Sequence, residues 1–270
     1  MTQRVRDAFI EQGKACERLG SALMARLMPL IAARLDPASP VGAACLGWQG
    51  EPGPGGHSLP LRLAGALHGL VLDGTTPALA AVYPPHEADD DTLWGAVAGA
   101  MAQHAPRVLD WLTRAPQTNE VRRAAAITAA LCWAQAQVGP RPVILSELGA
   151  SAGLNLNLDR FAVMLEGQAL GPDAPALRLS PEWRGPHRPD PQPVRVIDRR
   201  GVDLAPLDPA DPGDRLRLLA YLWPDQPDRL ARTRAAISLP PAPVDAEDAA
   251  PWLERRLRHA RPGALHVVYS

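Results

Sequence analysis

Between Val143 and Phe161 the chain reads VILSELGASAGLNLNLDRF. An apolar run, Val143–Leu145, leads into an acid, Glu147, and then into Gly149 and Gly153, four residues apart. Such a run reads as a buried strand, and Gly153–Phe161 is predicted to form the helix after it. In a strand–turn–helix unit, glycines let backbone N–H groups approach a ligand at the helix N-terminus, where a Cβ would block the approach or forbid the backbone angles. The order here is Glu-x-Gly-x-Ser-x-Gly. A dinucleotide fingerprint instead runs G-x-G-x-x-G, with its acid about 20 residues further on.

Upstream of this stretch the pattern is helical. Phe9, Cys16, Leu19, Leu23, Leu27 and Leu30 recur at helical spacing, which predicts two helices over 1–36, ended by Pro37 and Pro40. A Gly/Pro-rich loop is expected over 46–60 and helices over Leu61–Leu72, Asp91–Leu112 and Asn119–Val138, the last stopped by Gly139-Pro140. Downstream, β-branched runs at 143–145, 194–197 and 265–269 alternate with helical stretches, which argues for parallel βαβ units. The expected organisation is an all-helical region over 1–139 and an α/β domain over 140–270. Its parallel sheet would carry helices on both faces. A Pro-rich insertion near 163–193 is expected to be a long loop.

Composition excludes several functions. The net charge of −1 gives no support for a nucleic-acid partner. No apolar run approaches the roughly 18 residues of a membrane span, and the N-terminus lacks the apolar core of a signal peptide, so a soluble, cytoplasmic protein is expected. Cys16, Cys45 and Cys132 are far apart and no histidine lies four residues from another, so no metal site is expected. Ser146 and Ser151 do not form the GxSxG elbow of hydrolases, and there is no GKS/T phosphate loop.

The Glu147, Gly149, Gly153 order resembles the first motif of Rossmann-like S-adenosylmethionine-dependent methyltransferases, with Ser151 in place of the usual middle glycine. Two later segments resemble the next motifs. RVIDRRGVDLAPLD (195–208) offers Asp198 or Asp203 as the acid that meets both ribose hydroxyls. In PVDAEDAAPWL (243–253), Asp248-Ala249 matches the pair that meets the adenine amino group. A single acid is ordinarily a surface charge or a helix cap; three in this chain order carry more weight. The phrases APQTNEVRR, ELGASAGLNLNLDRF, SPEWRG, RRGVDLAPLDP, LWPDQPDRLARTRAAI and the terminal HVVYS resemble a bacterial family known as domain of unknown function 2332. That resemblance implies a Rossmann-like methyltransferase fold and S-adenosylmethionine as cofactor. Glu147, Gly149, Ser151, Gly153, Asn155, Asp198 or Asp203, Asp248 and Ala249 would line its site.

The resemblance names no acceptor, and because methyl transfer from a sulfonium needs mainly alignment the sequence does not reveal one; a small molecule is expected. Family members continue past the phrase that ends here at Ser270, so the sheet is expected to be incomplete on that side, with Ser270 at the carboxyl end of a fourth strand. Gln117, Asn119 and Glu120 stand at a predicted helix start, where a cap is the ordinary reading. They are also cleft candidates, as are Trp183 and Arg184 in the Pro-rich segment. The alternative function is a non-catalytic protein of the same fold that binds a nucleoside metabolite or a protein partner; a nucleotide-binding oxidoreductase ranks third.

Overall fold

The computed structural model describes residues 2–258 and 261–270. The chain divides into two compact units, one of Met1–Thr118 with Leu216–Leu230, the other of Asn119–Arg215 with Ala231–Ser270. The division falls at Thr118/Asn119 rather than near 139.

The first unit begins with seven helices: α1 (Thr2–Arg18), α2 (Ala22–Arg34), α3 (Pro40–Leu46), α4 (Leu59–Leu72), α5 (Pro77–Ala80), α6 (Asp90–Gln103) and α7 (Ala105–Leu112). Val5, Phe9 and Cys16 on α1, Leu27 and Ile31 on α2 and Leu63, Leu67 and Leu70 on α4 form its core. Two details differ from the expectations. Pro40 opens α3 instead of ending a helix, behind a Ser39 cap, because proline's missing N–H costs nothing in a first turn. The helix expected over Asp91–Leu112 breaks at His104, after which α7 carries Pro106 in its first turn.

The remaining elements are α8 (Arg123–Val138), β1 (Val143–Leu148), a 3-10 segment (Leu154–Arg160), β2 (Phe161–Leu165), β3 (Gln168–Leu170), β4 (Leu177–Leu179), β5 (Val196–Asp203), α9 (Pro212–Ala220), α10 (Pro227–Ile237), β6 (Val244–Ala246), α11 (Ala249–Arg258) and β7 (Leu265–Tyr269). Four strands form a wholly parallel sheet in the order β6-β5-β1-β7. A second sheet, β3-β2-β4, is mixed. In the parallel register Glu147 stands opposite Gly201 on one side and Tyr269 on the other. No helix among the described residues is long and apolar enough to cross a membrane.

Two expectations fail in this unit. The segment after Gly153 is not an α-helix but a 3-10 segment broken at Asn157. Its asparagines are buried: Asn155 is 1% and Asn157 3% exposed. Their amides bond residues far along the chain, Asn157 Nδ2 donating to the carbonyl of Pro240 at 3.2 Å, and asparagine has a low intrinsic helix propensity. The Pro-rich insertion is not one long loop, since β3 and β4 flank β2 within it.

Candidate functional site

The turn after β1 is unusual in its backbone. Gly149, Ser151 and Gly153 all have positive φ, at 64°, 53° and 66°. Ser151 therefore keeps the conformation a glycine would take, at a cost of about 1–3 kcal/mol for a side-chain-bearing residue. The surroundings hold it there. Asp203, the last residue of β5, accepts a hydrogen bond from Ser151 N at 2.8 Å through Oδ2, and from Ala205 N at 2.9 Å through Oδ1. A Cβ on Gly153 would come within 2.9 Å of Val244 on β6, so that glycine permits close packing. A Cβ on Gly149 would meet nothing within 4 Å, leaving open space beside the backbone at the end of β1.

Asn155 and Asn119 reach Glu147 and the residue just past the turn. Asn155 Nδ2 donates to Glu147 Oε1 at 3.4 Å and to the carbonyl of Glu120 at 3.4 Å. Asn119 does not cap α8, which starts at Arg123; its Oδ1 accepts from Leu154 N at 2.8 Å, just past Gly153. Glu120 folds back onto Arg122 N at 3.1 Å.

Glu147 is 4% exposed. Burial pushes its carboxyl up to about 8 from the usual 4.5, against the Asn155 hydrogen bond and the charge of Arg123; the charge of Asp203 adds to the rise. Its Oε2 is buried without a hydrogen-bond partner, and so are Asn155 Oδ1, Ser151 Oγ and the hydroxyl of Tyr269. Buried polar atoms are nearly always satisfied, so four orphans around one strand end call for an explanation. Burial also raises the Tyr269 phenol, with Glu147 adding to the rise. Tyr269 escaped the sequence reading: it is the last residue of an apolar run, and only its register opposite Glu147 reveals it.

Asp198, the third residue of β5, faces away from this turn and pairs with Arg256 on α11 at 2.8 Å. Beside that pair, Arg256 Nε donates to Ser146 Oγ at 3.1 Å, and Ser146 Oγ lies 2.8 Å from His266 Nε2. Asp248 is exposed, and its Oδ1 accepts from Ala250 N at 2.9 Å, capping α11, whose first residue is Ala249. Trp183 and Arg184 interact within their own loop, with the His187 carbonyl and with Glu182. Gln117 belongs to the first unit. Ser270 is exposed just past β7. Among the described residues no group of three or more His, Cys, Asp or Glu side chains is placed to hold a metal. A cavity of about 250 Å³ in this unit lies at the amino end of the sheet, beside Thr128, Asp159 and Arg195, not at Glu147.

No curated protein and no solved structure matches the chain. The family model described as "Uncharacterized protein conserved in bacteria (DUF2332)" matches residues 6–270, and the chain belongs to that family.

Proposed function

We propose that the α/β unit binds S-adenosylmethionine and serves a methyltransferase acting on a small-molecule acceptor. The observation that carries this reading is the cluster of unsatisfied polar atoms where the sheet changes direction. In chain order the parallel strands are β1, β5, β6 and β7, so the spatial order β6-β5-β1-β7 is 3-2-1-4, the first four strands of a doubly wound Rossmann-type sheet. Ligands of such sheets bind at the carboxyl ends of the strands, at the point where the order reverses. That point lies between β1 and β7, where Glu147 and Tyr269 stand side by side.

The residues fit the cofactor. Glu147 Oε2 and Asn155 Oδ1 are acceptors without donors, which suits an ammonium group. The open space at Gly149 suits close approach of a ligand to the backbone. Asp203, at the carboxyl end of β5, is better placed than Asp198 for a ribose diol, and a carboxylate can accept from both hydroxyls of a cis diol. Asp248 follows β6 and would meet the adenine. When bound, the cofactor supplies an already activated methyl carbon, so these residues have to bind, orient and exclude water.

A second reading, ligand binding without transfer, is favoured by Asp203 itself: its two oxygens already accept from the amides of Ser151 and Ala205. Thermal unfolding with S-adenosylmethionine, S-adenosylhomocysteine, NAD and ATP tests the cofactor. A ligand at about 100 times its dissociation constant stabilises by roughly 2.7 kcal/mol, a shift of several degrees. A response to the first two alone, lost in Glu147→Gln and Asp203→Ala, supports the site. A response that survives both substitutions, or none in the wild type, sinks it.

A further inference from the structure

We propose that the helical unit carries an oxyanion-binding site, in which Arg62, Arg114, Arg217 and the hydroxyl of Tyr221 converge on one carboxylate or phosphate group. This goes beyond the methyltransferase reading and does not depend on it.

Tyr221 is the anchor. It is 7% exposed, and its ring lies so close to α4 that a Cβ on Gly65 would be 2.5 Å from Tyr221 Cε1. The ring of Trp111 on α7 packs against it with centroids 5.8 Å apart. These two contacts fix where the arginines stand. Arg62 precedes Gly65 by three residues on α4, hence on the same face. Its Nη1 donates to the carbonyl of Leu112 at 2.8 Å, spanning from α4 to the end of α7. Arg114 follows two residues later, three past Trp111. Arg217 lies four residues before Tyr221, whose N–H approaches the Arg217 carbonyl at 3.4 Å.

The chemistry of this cluster is one-sided. The Tyr221 hydroxyl and Arg217 Nε are both buried without a hydrogen-bond partner, and both are donors. Arg62 is 8% exposed, and it donates to the carbonyls of His57 and Leu112. Burial lowers its guanidinium from the ordinary arginine value. Among the described residues, Arg114 alone of the three arginines pairs with an acid, Asp110 at 3.0 Å. Burial raises the Tyr221 phenol, while the charge of Arg217 and the hydrogen-bonding approach of its side chain, together with the charges of Arg62 and Arg114, pull it the other way. Buried donors without acceptors, in excess positive charge, lack an acceptor-only anionic group. Arginine forks suit carboxylate or phosphate equally, so the two sources share one chemistry here.

The test is thermal unfolding of the full chain in phosphate, in acetate and in chloride at matched ionic strength, followed by calorimetric titration with methyl phosphate. Phosphate or acetate should raise the midpoint by several degrees over chloride. A response to phosphate alone assigns a phosphate ester, and a response to both admits a carboxylate. Arg217→Gln and Tyr221→Phe should each weaken binding at least tenfold. Tyr221→Phe keeps the ring that packs on Gly65 and Trp111 and removes only an unbonded hydroxyl, so its midpoint in chloride should match the wild type. Glu147→Gln should leave the anion response intact. No response beyond chloride, or one unchanged in both variants, overturns the proposal.

Discussion

Glu147→Gln should stabilise this protein, and more so as the pH rises. In the folded chain the Glu147 carboxyl is pushed up to about 8, mainly by burial, whereas unfolding returns it to the usual 4.5. Between those values the native state holds a proton that the unfolded state has released. Stability is therefore fully present below pH 4.5 and is lost progressively as the pH climbs to about 8. At about 1.4 kcal/mol for each pH unit, the loss reaches about 5 kcal/mol by pH 8. Glutamine keeps the shape and the Asn155 contact but does not titrate. Its amide also offers a donor where Asn155 Oδ1 has none. Urea unfolding of both proteins from pH 5 to pH 9 gives the difference directly. His266, which burial holds below its ordinary value, titrates alike in both and cancels. The variant should gain little at pH 5 and several kcal/mol at pH 8.5. A difference that stays flat across this range would refute the reasoning, because the burial of a chargeable carboxyl is its only source.

Other perturbations probe the turn. Ser151→Gly removes a side chain from a φ of 53°, so it should raise stability by about 1 kcal/mol, seen as a higher unfolding midpoint; a lower one would show that the serine hydroxyl contributes more than the backbone strain costs. Gly201→Ala brings a Cβ to 2.5 Å from Ala150 Cβ, and overpacking of this kind should cost about 1–3 kcal/mol in urea unfolding. Ala150→Gly added to it should recover part of that loss. Asp203→Asn removes a negative charge that helps raise Glu147, so the pH above which stability stops falling should drop below 8. An unmoved pH limit would separate the two acids electrostatically.

Legibility in the sequence followed hydropathy and failed where charge is compensated in space. β1 was legible because its first residues are apolar and wholly buried. β5 was caught only at its start, since it runs on through Asp198, Arg199 and Arg200. Each of these has a partner on another element: Arg256 on α11, Asp159 after β1 and Asp245 on β6. The same holds for β6, three residues long and centred on Asp245, which also accepts from Trp252 Nε1 at 2.7 Å. Hydropathy reads such residues as surface. Glu147 and Asp203 were legible as strand-end acids because order along the chain suffices to place them there. Asn119 was read as a cap or a cleft residue, and its bond to Leu154 N depends on the 3-10 segment that replaces the expected helix.

The cost of Glu147 bears on what the turn is for. A domain's net stability is about 5–15 kcal/mol, and burying this carboxyl removes a substantial part of it near pH 8. Packing does not require a carboxylate there: glutamine would fill the same space and serve Asn155, and Oε2 has no partner to lose. What a carboxylate offers and an amide does not is a negative charge in a low-dielectric site, available when a cation arrives. Binding an ammonium group would then drive Glu147 to ionise and release its proton, so affinity should rise with pH toward 8. A neutral ligand would show no such dependence. The sign of that pH dependence thus distinguishes a site built for a cationic amine from a polar pocket that merely tolerates an acid.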